Sequence, residues 1–215
     1  MKRDASRPQT GPEPILSFAR DLPNVCSLTG LLSATLGLYF AIRGTYPLAL
    51  TALLWAVVFD WADGLIARRM PGRSADQAAF GAQLDSLIDI ISFSVAPGLL
   101  LLSVGQFSPW FIPGAFVVLA TGALRLSHFN VFGLVDASTY RGLALDNNIL
   151  ILGLLFVFEP VVGLTAFAVI LYVVVLALAA FNVAPIQTPK LGGTWFYAVV
   201  LYALALTGIY GWQLA

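Results

Sequence analysis

The chain has 215 residues, of which 59% are hydrophobic and 10% are charged, and its mean hydropathy is +0.88. Soluble domains carry about 25% charged residues, so this composition excludes an ordinary soluble protein and indicates an integral membrane protein. The formal net charge is zero, and no nucleic-acid partner is expected. A single cysteine, Cys26, excludes an internal disulfide and a cysteine-based metal site.

A polar start precedes a series of apolar segments. Residues 1–14 predict a cytosolic tail, and residues 15–23 predict a short interfacial helix that ends at Pro23. A membrane-spanning helix needs about 20 apolar residues. Spans are therefore predicted at about 25–43, 47–69, 78–104, 109–131, 143–158, 160–181 and 191–213.

These segments predict an all-α fold, a polytopic membrane helical bundle with about seven transmembrane helices. Residues 1–21 form the predicted tail and interfacial helix, and residues 22–215 form the transmembrane domain. Pro97 is expected to kink the third span. The polar loops between spans are 70–77, 132–142 and 182–190.

The cationic residues favour one orientation in the membrane. With the N-terminus inside, ten Lys and Arg residues fall on one side: Lys2, Arg3, Arg7, Arg20, Arg68, Arg69, Arg73, Arg125, Arg141 and Lys190. The other side holds Arg43. Cytosolic loops carry the excess of Lys and Arg, so the richer side is predicted to be cytosolic, in a prokaryotic cell membrane.

Four aspartates stand out in this apolar chain. Asp60 and Asp63 are three residues apart, and Asp85 and Asp89 are four residues apart, so each pair shares one face of a helix. The end of the second span and the start of the third bring both pairs to the same depth. Like charges at short range are costly without a counter-charge. Oxygen ligands favour Mg²⁺, Mn²⁺ or Ca²⁺ over Zn²⁺.

The complete pattern is Asp-x-x-Asp-Gly-x-x-Ala-Arg, twelve residues, then Gly-x-x-x-Asp-x-x-x-Asp. It resembles the signature of the CDP-alcohol phosphatidyltransferases. All eight signature positions match: Asp60, Asp63, Gly64, Ala67, Arg68, Gly81, Asp85 and Asp89. The spacer between Arg68 and Gly81 is longer than is usual in that family, and the extra residues fall in the 70–77 loop, where a longer turn is tolerated.

Within the family, the chain is most similar to the phosphatidylserine synthase branch. The similarity lies in residues 84–97, in residues 123–131 and in the Leu22-Pro23-Asn24 segment. That branch usually continues with a Pro- and Ala-rich segment. This chain has Asp146-Asn147-Asn148 there instead, which either contacts the acceptor or caps the next helix.

The resemblance implies a six-helix core, a homodimer and transfer of a phosphatidyl group from CDP-diacylglycerol to a small alcohol, most simply L-serine. Two Mg²⁺ or Mn²⁺ ions are expected on Asp60, Asp63, Asp85 and Asp89. Asp89 is also the expected catalytic base for the acceptor hydroxyl. The residues expected to bind the CDP-lipid are Gly64, Ala67, Arg68 and Gly81.

An acceptor with a carboxylate needs a cation in the site. Arg125 is the first candidate and Arg141 the second, and Asn130 is expected to add a hydrogen bond. Two alternatives stay open. The same chemistry with glycerol phosphate, inositol phosphate or another polar alcohol needs more basic residues near the site. A membrane cation transporter that uses the clustered aspartates would not release CMP.

Overall fold

The computed structural model describes residues 14–136 and 139–215. Most of the predicted tail, residues 1–13, lies outside the described residues. The α-helices are α1 Ile15–Phe18, α2 Leu22–Ile42, α3 Tyr46–Arg69, α4 Ala75–Ile90, α5 Ala96–Val104, α6 Ile112–Phe132, α7 Asp146–Leu155, α8 Glu159–Val162, α9 Leu164–Val183 and α10 Trp195–Gln213. A π-helical turn covers Ile91–Val95, 3₁₀ turns cover Pro109–Phe111 and Phe156–Phe158, and the strands are β1 Thr139–Arg141 and β2 Gln187–Pro189.

Six helical segments of the described chain are long and apolar enough to cross a membrane. They are Leu22–Ile42, Tyr46–Arg69, Ala75–Val104, Pro109–Phe132, Leu164–Val183 and Trp195–Gln213. The predicted all-α, polytopic membrane bundle is therefore confirmed. The six segments correspond to six of the seven predicted spans.

The predicted span at 143–158 has a different form. It is divided into α7 and a 3₁₀ turn, and α8 follows it and ends at Val162, before Gly163 with its φ of +82°. These pieces still run along most of α3. Asp146 is hydrogen-bonded to Trp61 near the end of α3, and the ring of Phe156 lies 5.4 Å from that of Tyr46 at its beginning.

The start of the bundle also differs from the prediction. Pro23 does not end an interfacial helix but lies in the first turn of α2, which begins at Leu22. Proline is favoured there because the first helical N–H groups have no partner within the helix and the φ of proline already suits a helix. Helix α1 is limited to four residues before this point.

Helices α2 and α3 pack closely because α2 presents small residues along one face. The buried stripe of α2 includes Gly30, Ala34, Gly37 and Ala41. A Cβ added at Gly37 would lie 2.7 Å from Cγ of Leu53 on α3. Helices in membranes associate through such close backbone approach. This pair therefore gives α3 a fixed support beneath its acidic end.

The third span is interrupted where the sequence predicts a kink. Pro97 has no N–H group to bond the carbonyl of Phe93, and the chain forms a π-helical turn over Ile91–Val95. The freed carbonyl of Phe93 accepts a 2.9 Å hydrogen bond from Nδ2 of Asn148. Asn148 is fully buried and also exchanges hydrogen bonds of 3.2 and 3.3 Å with Asn182. This network joins the third span to α7 and α9.

The polar loops before α7 and α10 are joined by a short antiparallel sheet. In its register Tyr140 lies opposite Thr188. The backbone N–H of Gly142, at a φ of +74°, donates to the carbonyl of Ile186, and Oγ1 of Thr188 donates to the carbonyl of Gly142 at 2.6 Å. The two loops therefore form one structural unit at the acidic end of α3.

Candidate active site

Three aspartates converge at the facing ends of α3 and α4. One carboxylate oxygen from each of Asp60, Asp85 and Asp89 lies within 4.8 Å of the others. These three side chains also line a cavity, which leaves room for a ligand beside them.

Asp63 stands beside this trio. Its carboxylate accepts a hydrogen bond through Oδ2 from the hydroxyl of Ser27 on α2, and its side chain is 7% exposed. Asp63 also lies within electrostatic range of Asp85. Ser27 thus fixes the orientation of the fourth carboxylate from a neighbouring helix.

The donor set suits a hard divalent cation. All the candidate ligand atoms of Asp60, Asp85 and Asp89 are carboxylate oxygens, which Mg²⁺, Mn²⁺ and Ca²⁺ prefer. Oδ1 of Asp89 is buried and has no hydrogen-bond partner in the described chain. A buried carboxylate oxygen without a donor is costly, and a cation at this point would satisfy it and reduce the repulsion among the three acids.

A cavity of about 730 Å³ opens beside the aspartates. The four carboxylates of the motif line it, and so do cationic side chains from three parts of the chain. These cationic residues are Arg68, Arg69, Arg125 and Lys190. The cavity therefore offers positive groups for an anionic ligand next to a group of carboxylates suited to a cation.

Arg125 projects from α6 into this cavity and is 9% exposed. Its Cζ lies 5.7 Å from the ring centroid of Phe129 and 5.3 Å from that of Tyr140. Both distances allow cation–π attraction. Nε of Arg125 is buried and has no hydrogen-bond partner among the described residues. The aromatic rings hold the guanidinium in place and leave part of its donor capacity available.

Asp146 brings a fifth carboxylate to the cavity from the first turn of α7. Its Oδ2 accepts a 2.8 Å hydrogen bond from Nε1 of Trp61, and its Oδ1 accepts one of 3.2 Å from Nδ2 of Asn147. Asp146 interacts electrostatically with Asp60, Asp89 and Arg125. Its carboxylate therefore faces the same space as the motif aspartates.

The sequence model of the CDP-alcohol phosphatidyltransferase family matches residues 20–212. The chain belongs to this family. Its six membrane-crossing helices and its aspartate cluster lie within the matched region. The family predicted from the eight-residue signature is therefore confirmed.

Curated relatives of this phosphatidyltransferase carry serine in their names. The chain is 40% identical over 112 residues to an archaetidylserine synthase of Methanothermobacter thermautotrophicus, a match that covers 51% of this chain and 47% of that protein. It is 30% identical over 133 residues to a CDP-diacylglycerol–serine O-phosphatidyltransferase of Methanocaldococcus jannaschii, covering 62% and 60%. A Mycobacterium tuberculosis enzyme of the latter name is 30% identical over 113 residues, covering 51% and 37%.

These names confirm the predicted similarity to the phosphatidylserine synthase branch. The matches span less than two thirds of the length of each of the three relatives.

The residues predicted to bind the CDP-lipid divide into two groups. Gly64 and Arg68 line the cavity, and a Cβ at Gly64 would lie 3.6 Å from Nη1 of Arg68. Ala67 and Gly81 are not among the residues that line it. A Cβ at Gly81 would lie 2.8 Å from Nη2 of Arg73 and 2.9 Å from Oδ1 of Asn24. Gly81 thus accommodates these two side chains of the phosphatidyltransferase itself.

Arg73 reaches this position from the lengthened loop after α3. Its Nε donates a 2.8 Å hydrogen bond to Oδ2 of Asp21, and the two side chains form an ion pair of 2.6 Å. Ser74 and Gln77 form a reciprocal capping box at the start of α4. The longer loop therefore anchors α4 to the beginning of α2.

Two of the predicted acceptor residues, Asn130 and Arg141, do not line the aspartate cavity, although Asn130 contacts Ser86 at its edge. Asn130 is exposed and accepts a 3.1 Å hydrogen bond from the hydroxyl of Ser86. Arg141 lies in β1 and lines a second, mostly apolar cavity of about 480 Å³, together with His128. Arg125 borders both cavities. Among the three candidates, it alone lines the cavity that contains the aspartates.

Several cavity residues were not predicted from the sequence. Trp61, Tyr140 and Lys190 line the cavity, and Ser27 lies outside its lining but bonds Asp63. The sequence indicated no chemistry for these four residues. For Asp146 the sequence left two roles open, contact with the acceptor and capping of the next helix. Its position in the first turn of an interrupted apolar segment was the available signal, because a carboxylate there is expensive unless it has a use.

Proposed function

We propose that this phosphatidyltransferase transfers the phosphatidyl group of CDP-diacylglycerol to the hydroxyl of L-serine and releases CMP. The observation that carries the proposal is the presence, in one cavity, of three carboxylates within 4.8 Å of one another and the buried cation Arg125. The first group suits the metal-assisted chemistry of a pyrophosphate, and the second suits an acceptor with a carboxylate. The names of the relatives agree with this acceptor.

Asp60, Asp63, Asp85 and Asp89 would hold two Mg²⁺ or Mn²⁺ ions. When bound, such ions shield the negative charges of the pyrophosphate and stabilise the departing CMP. Asp60, Asp85 and Asp89 already converge, and Ser27 orients Asp63 towards the same end of the cavity. The hydroxyl of Ser27 would keep that carboxylate from rotating away when the site is loaded.

Asp89 would act as the base. The serine hydroxyl oxygen forms a bond to the phosphorus on the lipid side of the pyrophosphate, and the bond between that phosphorus and the oxygen of CMP breaks. The hydroxyl proton passes to Asp89, and CMP leaves with the electron pair of the broken bond. Asp89 has two carboxylate oxygens, and the oxygen that does not face a cation would take that proton.

The CDP-lipid would lie along the end of α3. Gly64 has no side chain, so the lipid phosphates could approach the backbone of α3 there. The guanidinium of Arg68, which lies beside Gly64, would pair with a phosphate. Gly81 would act indirectly, because its lack of a side chain lets Arg73 and Asn24 pack beside α4.

Arg125 would bind the carboxylate of serine. Its guanidinium lies beside the neighbouring rings of Phe129 and Tyr140, and these rings exclude water from one of its sides. Burial raises the pKa of the Tyr140 phenol, and the carboxylate of Asp146 raises it further. The phenol of Tyr140 is therefore neutral at physiological pH. It contacts Arg125 through its ring and offers no negative charge that would replace the substrate carboxylate. Arg141 and Asn130 would act only outside the cavity.

The cavity would open to the cytosol. The cationic residues Arg68, Arg69 and Lys190 line it, whereas Arg43 follows the far end of α2. That asymmetry supports the positive-inside orientation. The donor lipid would reach the site from the bilayer. The homodimer and the location in a prokaryotic cell membrane stay predictions.

CMP release by the purified protein in detergent tests the proposal. The assay contains CDP-diacylglycerol or CDP-archaeol, Mg²⁺ or Mn²⁺, and one acceptor at a time: L-serine, glycerol 3-phosphate, inositol phosphate or inositol. We expect metal-dependent release that L-serine stimulates. Asp60→Asn should abolish it, and Glu159→Gln at the far end of the bundle should not. Release stimulated only by another alcohol would contradict the choice of serine.

A further inference from the structure

Asp146 is a charged residue of the cavity that the proposed transfer does not use. It occupies the first turn of α7, where its carboxylate accepts hydrogen bonds from Trp61 and Asn147. Each of these bonds holds the carboxylate in place without neutralising its charge.

Asp146 and Arg125 line the same cavity. They interact electrostatically, yet they form no ion pair within 4.0 Å in the described part of the chain. Arg125 is nine-tenths buried, and its Nε lacks a hydrogen-bond partner there. A buried cation and a fixed carboxylate that line one cavity without pairing form a complementary site for a small zwitterion.

We infer that Asp146 recognises the ammonium group of an amino-alcohol acceptor while Arg125 binds its carboxylate. The inference rests on the proposed function, because it concerns the acceptor of that same reaction. The two charges would orient the amino acid between α6 and α7, with its hydroxyl directed to Asp89, which interacts electrostatically with both residues. Asp146 is thus a specificity-determining residue, distinct from the metal-binding aspartates.

The same carboxylate disfavours other acceptors. A phosphorylated alcohol would bring two negative charges towards Asp146, which already interacts with Asp60 and Asp89. A hydroxy acid without an amino group would leave Asp146 without a counter-charge in a half-buried position. Unpaired buried groups are the strongest source of discrimination between close analogues.

Steady-state CMP release with four acceptors tests this inference. L-serine has both charged groups, glycerate replaces the ammonium with a hydroxyl, ethanolamine lacks the carboxylate, and glycerol 3-phosphate is anionic. For the wild-type protein we expect kcat/KM to be about 100-fold higher for L-serine than for glycerate. In Asp146→Asn the KM for L-serine should rise about tenfold, and the preference over glycerate should shrink by about the same factor. The KM for CDP-diacylglycerol should stay unchanged.

Two further variants give the comparison its controls. Asp146→Glu keeps the charge and should retain the preference for L-serine over glycerate. Glu159→Gln removes a carboxylate at the far end of the same helical segment and should behave as wild type. If Asp146→Asn does not fold, the wild-type acceptor series still decides, because equal use of glycerate and L-serine excludes recognition of the ammonium by any residue.

Three results would overturn the inference. An unchanged acceptor preference in Asp146→Asn would show that Asp146 has a structural role and does not recognise the acceptor. An equal loss of kcat with every acceptor, together with a higher metal requirement, would assign it to the metal site. Wild-type use of glycerate as well as L-serine would exclude ammonium recognition. A wild-type protein that L-serine does not stimulate contradicts the proposed function itself, and so the two failures are distinguishable.

Discussion

The side-chain amide of Asn148 donates a 2.9 Å hydrogen bond to the backbone carbonyl of Phe93. That carbonyl lies four residues before Pro97, which cannot bond it. The π-helical turn that follows Asp89 is therefore supported by a residue of another helix. The contact lies one helical turn after Asp89, the proposed base.

Asn148→Ala should destabilise the protein because it leaves the carbonyl of Phe93 and part of Asn182 without partners in the bundle. The expected loss is about 1–3 kcal/mol, measured as a lower midpoint of thermal unfolding in detergent. Asn130→Ala is the matched control, since Asn130 is exposed and contacts Ser86 only at the surface. Equal midpoints for the two variants would show that the π-helical turn does not need the Asn148 bond.

Asp89→Asn should reduce turnover by a factor of about 10² to 10⁴, because the amide cannot take the proton of the acceptor hydroxyl. Binding of a cytidine nucleotide should survive, and isothermal titration with CDP measures it. Glu159→Gln serves as the control for the loss of one carboxylate. Normal turnover by Asp89→Asn would refute the assignment of Asp89 as base.

Ser27→Ala should weaken metal binding without removing a proposed ligand. The hydroxyl of Ser27 orients Asp63, and the loss of such a supporting hydrogen bond typically costs about 10- to 100-fold in metal affinity. The Mn²⁺ concentration that gives half-maximal activity should rise accordingly. Thr29→Ala removes an exposed hydroxyl of the same helix and should leave that concentration unchanged. Indistinguishable metal curves for Ser27→Ala and wild type would argue against Asp63 as a ligand.

Gly122→Ala should separate α6 from the π-helical turn. A Cβ at Gly122 would overlap Oγ of Ser94 and lie 2.8 Å from its Cβ. The expected destabilisation is about 1–3 kcal/mol, read from thermal unfolding. Ser94→Gly should rescue it in the double variant. Gly208→Ala, at a position with open space around it, is the control. Without rescue by Ser94→Gly, the contact between these two residues would not explain the loss.

The sequence predicted the parts of the site that depend on local periodicity. Asp60 and Asp63, like Asp85 and Asp89, lie on one helical face because of their spacing alone, and the apolar segments around them fixed the fold class. The interruption near Pro97 followed from proline chemistry. The form of that interruption, a π-helical turn, depends on Asn148, which is 55 residues away in the chain.

Other features could not be predicted because they depend on tertiary contacts. Trp61 and Asp146 are 85 residues apart, and nothing in either segment indicates their hydrogen bond. The strands β1 and β2 have three residues each, too few for a period of two to be recognised. Gly81 was predicted to admit the ligand, yet the space beside it contains Arg73 from the longer loop.

The pairing of Tyr140 with Thr188 places the support of Arg125 in a different part of the chain from the aspartates. Tyr140 holds the guanidinium of Arg125, and its own position is fixed by residues that precede α10. Under the proposed function, variation in that loop would alter which alcohols are accepted, while the helices that bear Asp60 and Asp89 would keep the transfer chemistry. Evolution could change the headgroup of the product lipid without disturbing the reaction that makes it.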